Sequence, residues 1–263
     1  MPAPLRVSAV SFLNAAPLVA GLDRERALFD VEFDLPAVCA ERLHAGAVDL
    51  GLIPSFEYLR GDYRLVPGMA IGSDGPILSV ALFTTVPMAR VRRLALDTSS
   101  RTSAALTRIL CARRWEIAPE MLMAAPSLAA MLATADAALL IGDPALAVDP
   151  LPAGVEKVDL GEAWRELTGL PFVYAAWAGR PGVLTPAHLV ALDTARDRGL
   201  ATRETIAAAA AHGDPGRLAT YASYLRHNLR YTFGPREQAG LERFHALAVE
   251  VGHASRALPL RFY

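Results

Sequence analysis

The chain reads as an α/β protein whose functional edge lies at the carboxyl ends of parallel strands. Two observations predict this: strand-like apolar runs alternate with helical patterns, and four strand-to-helix junctions carry small polar residues. A third concerns size. With 263 residues, 53% of them hydrophobic and 20% charged, the chain can bury a full core, and its length leaves one large domain or two lobes open.

The first junction lies in residues 5–22. LRVSAVSF reads as a short strand, and AAPLVAGL starts a helix with Pro17 in its first turn, where the missing N–H does no harm. Asn14 stands between them, and taken alone it is a turn or N-cap residue. The same pattern recurs at VDLGLIPSFEYL, where the strand ends at Pro54 and Ser55 precedes an amphipathic segment. Gly-Ser-Asp-Gly at 72–75 reads as a surface turn. SVALFTT at 79–85 is a further strand, and VPMARVRR connects it to the next.

The third junction is RLALDTSSRTSAALTRIL, in which the strand LALD runs into five hydroxyl residues (Thr98, Ser99, Ser100, Thr102 and Ser103) and then a helical alternation. The fourth is AALLIGDPALAV, with Asp143 as expected N-cap and Pro144 as first helical residue. PFVYAAW at 171–177 can form a strand returning toward the start of the fold. From Thr185 the pattern is helical, with Thr185 and Pro186 as cap and first turn, Gly213 as a stop and a last amphipathic helix in 234–252.

Such an edge favours anions, because the first N–H groups of a helix are free and the helix dipole points the same way. Other chemistries lack their signatures. Twenty-six basic residues against 27 acidic ones give a net charge of −1, so no field gathers nucleic acid or an anionic membrane. The six histidines are scattered and read as solvated or core-edge, with no metal-ligand spacing among them. Neither a phosphate-binding G-x-x-x-x-G-K-[ST] loop nor a G-x-S-x-G elbow occurs. Asp97 and Asp143 are the only junction carboxylates, and capping or turn roles are their ordinary reading. Cys39 and Cys111 form no paired motif, which fits a reduced, cytosolic compartment. Asn14 and Pro17 interrupt the apolar start, so it reads as mature fold rather than an export signal, and no uninterrupted apolar run is long enough to span a membrane.

The phrases VSFLNAAPL, VDLGLIPSFEY, LSVALF, LALDTSSRTSAALTRIL, IGDPAL and TGLPFVYAAW, in this order, closely resemble the MqnA family, the chorismate dehydratases of the futalosine route to menaquinone. The resemblance implies a two-lobed, class II periplasmic-binding-protein-like fold with two crossing strands and a ligand cleft between the lobes. One lobe would hold residues 1–86 and 175–263, the other 87–174, with SVALFTT and FVYAAW as the crossing strands. It implies loss of water from chorismate to give 3-[(1-carboxyvinyl)oxy]benzoate, with no cofactor and no metal.

On that resemblance Ser100, Thr102 and Ser103 are expected to bind one carboxylate of dianionic chorismate. Asn14 and Ser79 are expected against the ring and enolpyruvyl group as the catalytic residues, and Ser55, Gly142 and Asp143 to complete the wall. Arg101 is left open between the site and solvent, and Trp164 and Phe172 between ligand contact and packing. Two rivals share the fold: the MqnD-type dihydroxynaphthoate synthase, which carries a histidine base where this chain has Ile-Gly-Asp-Pro, and a solute-binding protein without catalysis. No nucleic acid or membrane partner is expected, and the chain is a monomer or homodimer.

Overall fold

A computed structural model describes residues 3–263. Its eleven strands are β1 (Leu5–Val10), β2 (Phe29–Asp34), β3 (Leu50–Pro54), β4 (Arg64–Leu65), β5 (Ile71–Ser73), β6 (Val80–Thr84), β7 (Arg93–Asp97), β8 (Glu120–Ala124), β9 (Ala137–Ile141), β10 (Glu156–Asp159) and β11 (Phe172–Gly179). They form two sheets. The first runs β2-β1-β3-β11-β4 with β5 also on β11, and the second runs β10-β6-β9-β7-β8. β1 lies parallel to β2 and β3, and β7 parallel to β8 and β9. The strands that feed the four polar junctions are therefore parallel neighbours in pairs, two in each sheet.

Central strands β3, β9 and β11 are buried along their whole length, which is why they read as unbroken apolar runs rather than alternations. In β6 the alternation sorts side chains between two cores: Val80 and Leu82 face the main one, while Ala81 and Phe83 face a smaller cluster with Ala95, Met131 and Leu140. Helix Pro186–Ala201 crosses the short helix Ala16–Val19 so closely that a Cβ on Gly199 would lie 2.0 Å from the Pro17 carbonyl oxygen. Only glycine permits that approach. Among the described residues no helix is long and apolar enough to cross a membrane.

Sheet membership differs from the expected crossing strands. All of β6 pairs within the second sheet and all of β11 within the first, so neither strand is shared. The chain passes between sheets at residues 74–79 and again through helix Leu160–Thr168 and the residues after it. Both passages meet at Asp159, whose carboxylate accepts N–H bonds from Ile77, Leu78, Gly161 and Glu162 at 2.6–3.1 Å. Leu78 holds φ = 65° at this point, a conformation that non-glycine residues rarely adopt. Gly72 and Ser73 are likewise not a surface turn but buried strand, because β5 docks on β11.

One histidine departs from the surface expectation. His245, on helix Pro235–Glu250, is fully buried, with Nε2 3.2 Å from the Ser55 carbonyl oxygen and Nδ1 without a partner among the described residues. Only the neutral ring suits this setting, so Nε2–H donates, and burial pushes its pKa down to about 4. The unfolded chain binds this proton more tightly, so stability falls as the pH drops from the ordinary histidine value toward 4, by an amount on the order of 3 kcal/mol. Asp97 and Asp143 act with the opposite sign, since burial raises both carboxyls and favours the folded state as they protonate. His245→Gln keeps a donor for Ser55 without titrating. Urea melts at about pH 7, 5.5 and 4.5 should show it losing less than half as much stability across that range as the parent. Equal losses would mean that His245 does not set the acid limit.

Candidate functional site

The carboxyl ends of β1 and β3 face those of β7 and β9 across a narrow cavity of about 40 Å³, enough for a water or two. The first sheet contributes Asn14 and Pro54 to its wall, and the second contributes Ser100, Ser103, Ile141 and Gly142. Four of the eight expected site residues (Asn14, Ser100, Ser103 and Gly142) thus meet at one cavity. No side chain of Lys, Arg, His, Asp or Glu lines it.

The hydroxyl turn is built by its own sequence. Asp97, buried at the end of β7, accepts from Ser99 N–H at 2.8 Å, Ser99 Oγ at 2.6 Å and Ile141 N–H at 3.3 Å, tying the turn to β9. Ser100 caps the 13-residue helix Arg101–Arg113 by accepting from Ser103 N–H at 3.2 Å, and its hydroxyl donates to Ser103 Oγ at 3.0 Å. Two hydroxyls thereby stand at a helix start whose first N–H groups have no intrahelical acceptor, an arrangement suited to a carboxylate. Arg101 turns away from the cavity, to Glu57 at 3.1 Å and Glu41 at 2.6 Å.

Ser55, Thr102 and Asp143 stand off this wall and hold the two sides together. Phe56 N–H donates to Thr102 Oγ1 at 3.0 Å, with Ser55 Oγ 3.5 Å from the same oxygen and donating to Val173 O at 2.6 Å. Contrary to expectation, Asp143 does not cap its own helix; Ile141 occupies the N-cap and the carboxylate reaches across to accept Leu13 N–H at 3.1 Å. Ala37 N–H, at the start of helix Pro36–His44, donates to Ser99 O at 3.1 Å. A ligand larger than a few waters enters only after these contacts across the cleft open. Trp164 and Phe172 pack edge to face in the core, 5.1 Å apart, and neither borders the cavity.

Behind the wall lies a buried tyrosine that no local pattern marks. Tyr224 opens a π-helical turn, Tyr224–Asn228, and its hydroxyl donates to Ser79 Oγ at 2.6 Å. Ser79 is fully buried and its carbonyl accepts Gly142 N–H at 2.7 Å, so it supports the wall from behind. Burial raises the Tyr224 phenol, and Ser79 and Asn14 oppose that rise, which puts the Asn14 side chain beside the same hydroxyl. Tyr231 holds the Asn14 carbonyl at 2.9 Å. Asn14 Oδ1 is buried without a partner among the described residues. Tyr224→Phe removes the donor to Ser79 and should lower turnover about tenfold by loosening Asn14 and Gly142. Steady-state rates on a variant of parental melting temperature check this, and an unchanged rate would confine Tyr224 to packing.

The arrangement can hold an anion at the helix start, fix an apolar ring between Asn14 and Gly142, and exclude water. It offers no strong base of its own on the wall. Comparison with known proteins agrees in kind. The family described as menaquinone biosynthesis matches residues 5–250. The chain is 34% identical over 254 residues to a chorismate dehydratase of Thermus thermophilus, covering 89% of this chain and 91% of that one. Among solved structures, a protein from Archaeoglobus fulgidus superposes with a TM-score of 0.75 at 17% identity, covering 95% of this chain and 98% of that one. The periplasmic aliphatic sulphonate binding protein of Escherichia coli gives 0.67 at 18%, covering 100% and 94%. A Candida albicans protein with the generic periplasmic binding protein fold gives 0.64 at 9%, covering 98% and 92%. The fold is thus the two-lobed binding-protein type.

Proposed function

This chain belongs to the menaquinone biosynthesis family, and from that premise we propose that it is a chorismate dehydratase, removing water from chorismate to give 3-[(1-carboxyvinyl)oxy]benzoate. The observation that carries the reading is the meeting of Asn14, Ser100, Ser103 and Gly142 on one uncharged cavity between the lobes. We assign the reaction to the futalosine route, on the order of the family's phrases along the chain. The free, buried Cys39 and Cys111 suit a reducing compartment, which supports a cytoplasmic place.

The reaction breaks a ring C–H bond, whose electron pair completes the aromatic ring, and a C–O bond, whose hydroxyl leaves with a proton as water. Much of the driving force is the aromaticity of the product, so the protein's work is to bind a dianion, hold one conformer and exclude bulk water. Ser100, Ser103 and the helix start seat one carboxylate. Asn14 orients the other or donates to the departing hydroxyl, and the substrate's own side-chain carboxylate takes the ring proton. An uncharged wall favours this, since a nearby cation would compete for that carboxylate.

Incubation with chorismate, followed by absorbance and mass, tests the reading. The expected product is aromatic and lighter by one water. A ligand-induced rise in melting temperature without product would mark a binding protein instead, and the absence of both effects would rule chorismate out as the substrate.

A further inference from the structure

A second cavity, of about 670 Å³, adjoins the cleft at Ser100, which borders both. Its walls come from the two lobes. Arg60 and Arg256 line it from the first, and Arg101 and Arg108 from the second, where they share one face of helix Arg101–Arg113 with Ala104 between them. Glu57 is the one carboxylate in the lining; it is buried and bonded to His44 at 2.7 Å, Arg60 at 3.2 Å and Arg101 at 3.1 Å. Arg108 and Arg256 have no ion-pair or hydrogen-bond partner among the described residues. In a chain of net charge −1, this is a local cationic excess.

The rest of the lining mixes hydroxyl residues (Thr98, Ser100 and Ser255) with apolar ones. Leu59, Leu96 and the 61% exposed Met123 give the cavity a hydrophobic side, and Phe56 stacks on His253 at 5.0 Å. The volume falls within the range of small-molecule sites. Guanidinium groups left without a carboxylate, beside apolar surface, match a ligand with an anionic head and an apolar body.

We propose that this cavity binds a small organic anion, a phosphate ester or carboxylate carried on an apolar ring or chain, which bridges the arginines of the two lobes. The site is separate from the dehydration cleft. By pairing with arginines of both lobes, the bound anion favours the closed arrangement and slows the opening that releases product.

Calorimetric titration of the full chain with phenyl phosphate, octanoate and inorganic phosphate tests this. Phenyl phosphate or octanoate should bind at one site at least about tenfold more tightly than inorganic phosphate, and the tighter of the two identifies the head group. The double variant Arg108→Ala, Arg256→Ala should weaken that binding at least about tenfold, with chorismate turnover in the absence of the anion unchanged. The corresponding double lysine variant should recover part of the affinity. Saturating chorismate should leave the anion bound. Absence of binding by both organic probes, an affinity unchanged in the double alanine variant, or competitive displacement by chorismate would each overturn the proposal. The binding readouts do not require dehydratase activity, so failure of the reaction assignment would be seen separately.

Discussion

Asn14→Ala should lose at least about 10²-fold in kcat, with KM for chorismate changed less than about threefold and melting close to the parent's. The Asn14 side chain lines the cavity beside Tyr224, and its Oδ1 is buried with no partner among the described residues. Alanine removes the amide that orients a substrate carboxylate or donates to the departing hydroxyl, so the loss falls on the transition state more than on binding. Asn14→Asp should fail to a similar degree for a different reason. It sets a carboxyl on an otherwise uncharged wall, close to the substrate's carboxylates, where like charges oppose binding. Steady-state kinetics on both variants read the result. If both turn over at near the parental rate, Asn14 only holds the turn.

Gly142→Ala should reduce kcat/KM by about 10- to 10²-fold and lower the melting temperature by several degrees. Gly142 holds φ = 62°, and a Cβ there would lie 2.6–2.9 Å from three atoms of the Phe12 ring, which also lines the cavity. Alanine thus adds left-handed strain of about 1–2 kcal/mol and forces the ring to move at the place where a substrate ring would lie. The Gly142 N–H bond to the Ser79 carbonyl carries any backbone shift to the wall behind. Gly213→Ala is the control, because Gly213 holds φ = 83° with nothing within 4 Å of a new Cβ. It should share the loss in melting temperature and keep parental kcat/KM. Equal activity for the two variants would remove Gly142 from the site.

The four junctions were legible because each apolar run ends in residues with a local reason to be there: Pro17, Ser55, the 98–103 hydroxyls and Asp143 with Pro144. Their convergence followed from parallel pairing, and Asn14, Ser100, Ser103 and Gly142 do meet at one cavity. Sheet membership was not legible. A fully buried strand such as β6 or β11 reads the same in either sheet, because its neighbours are set by where the chain passes between lobes. Asp143 misled for a related reason. Asp-Pro is a strong local cap signal, yet its carboxylate is used 130 residues away, at Leu13. Tyr224, Asp159 and His245 matter through partners at Ser79, Leu78 and Ser55, and no spacing within their own segments points to them.

The most direct test is a crystal structure of the Asn14→Ala protein, slowed enough to hold its substrate, in complex with chorismate. The account predicts the ligand between the lobes, one carboxylate within hydrogen-bond distance of Ser100 and Ser103 and the ring between residue 14 and Gly142. Chorismate seated only among Arg60, Arg101, Arg108 and Arg256, with the cleft empty, would contradict it.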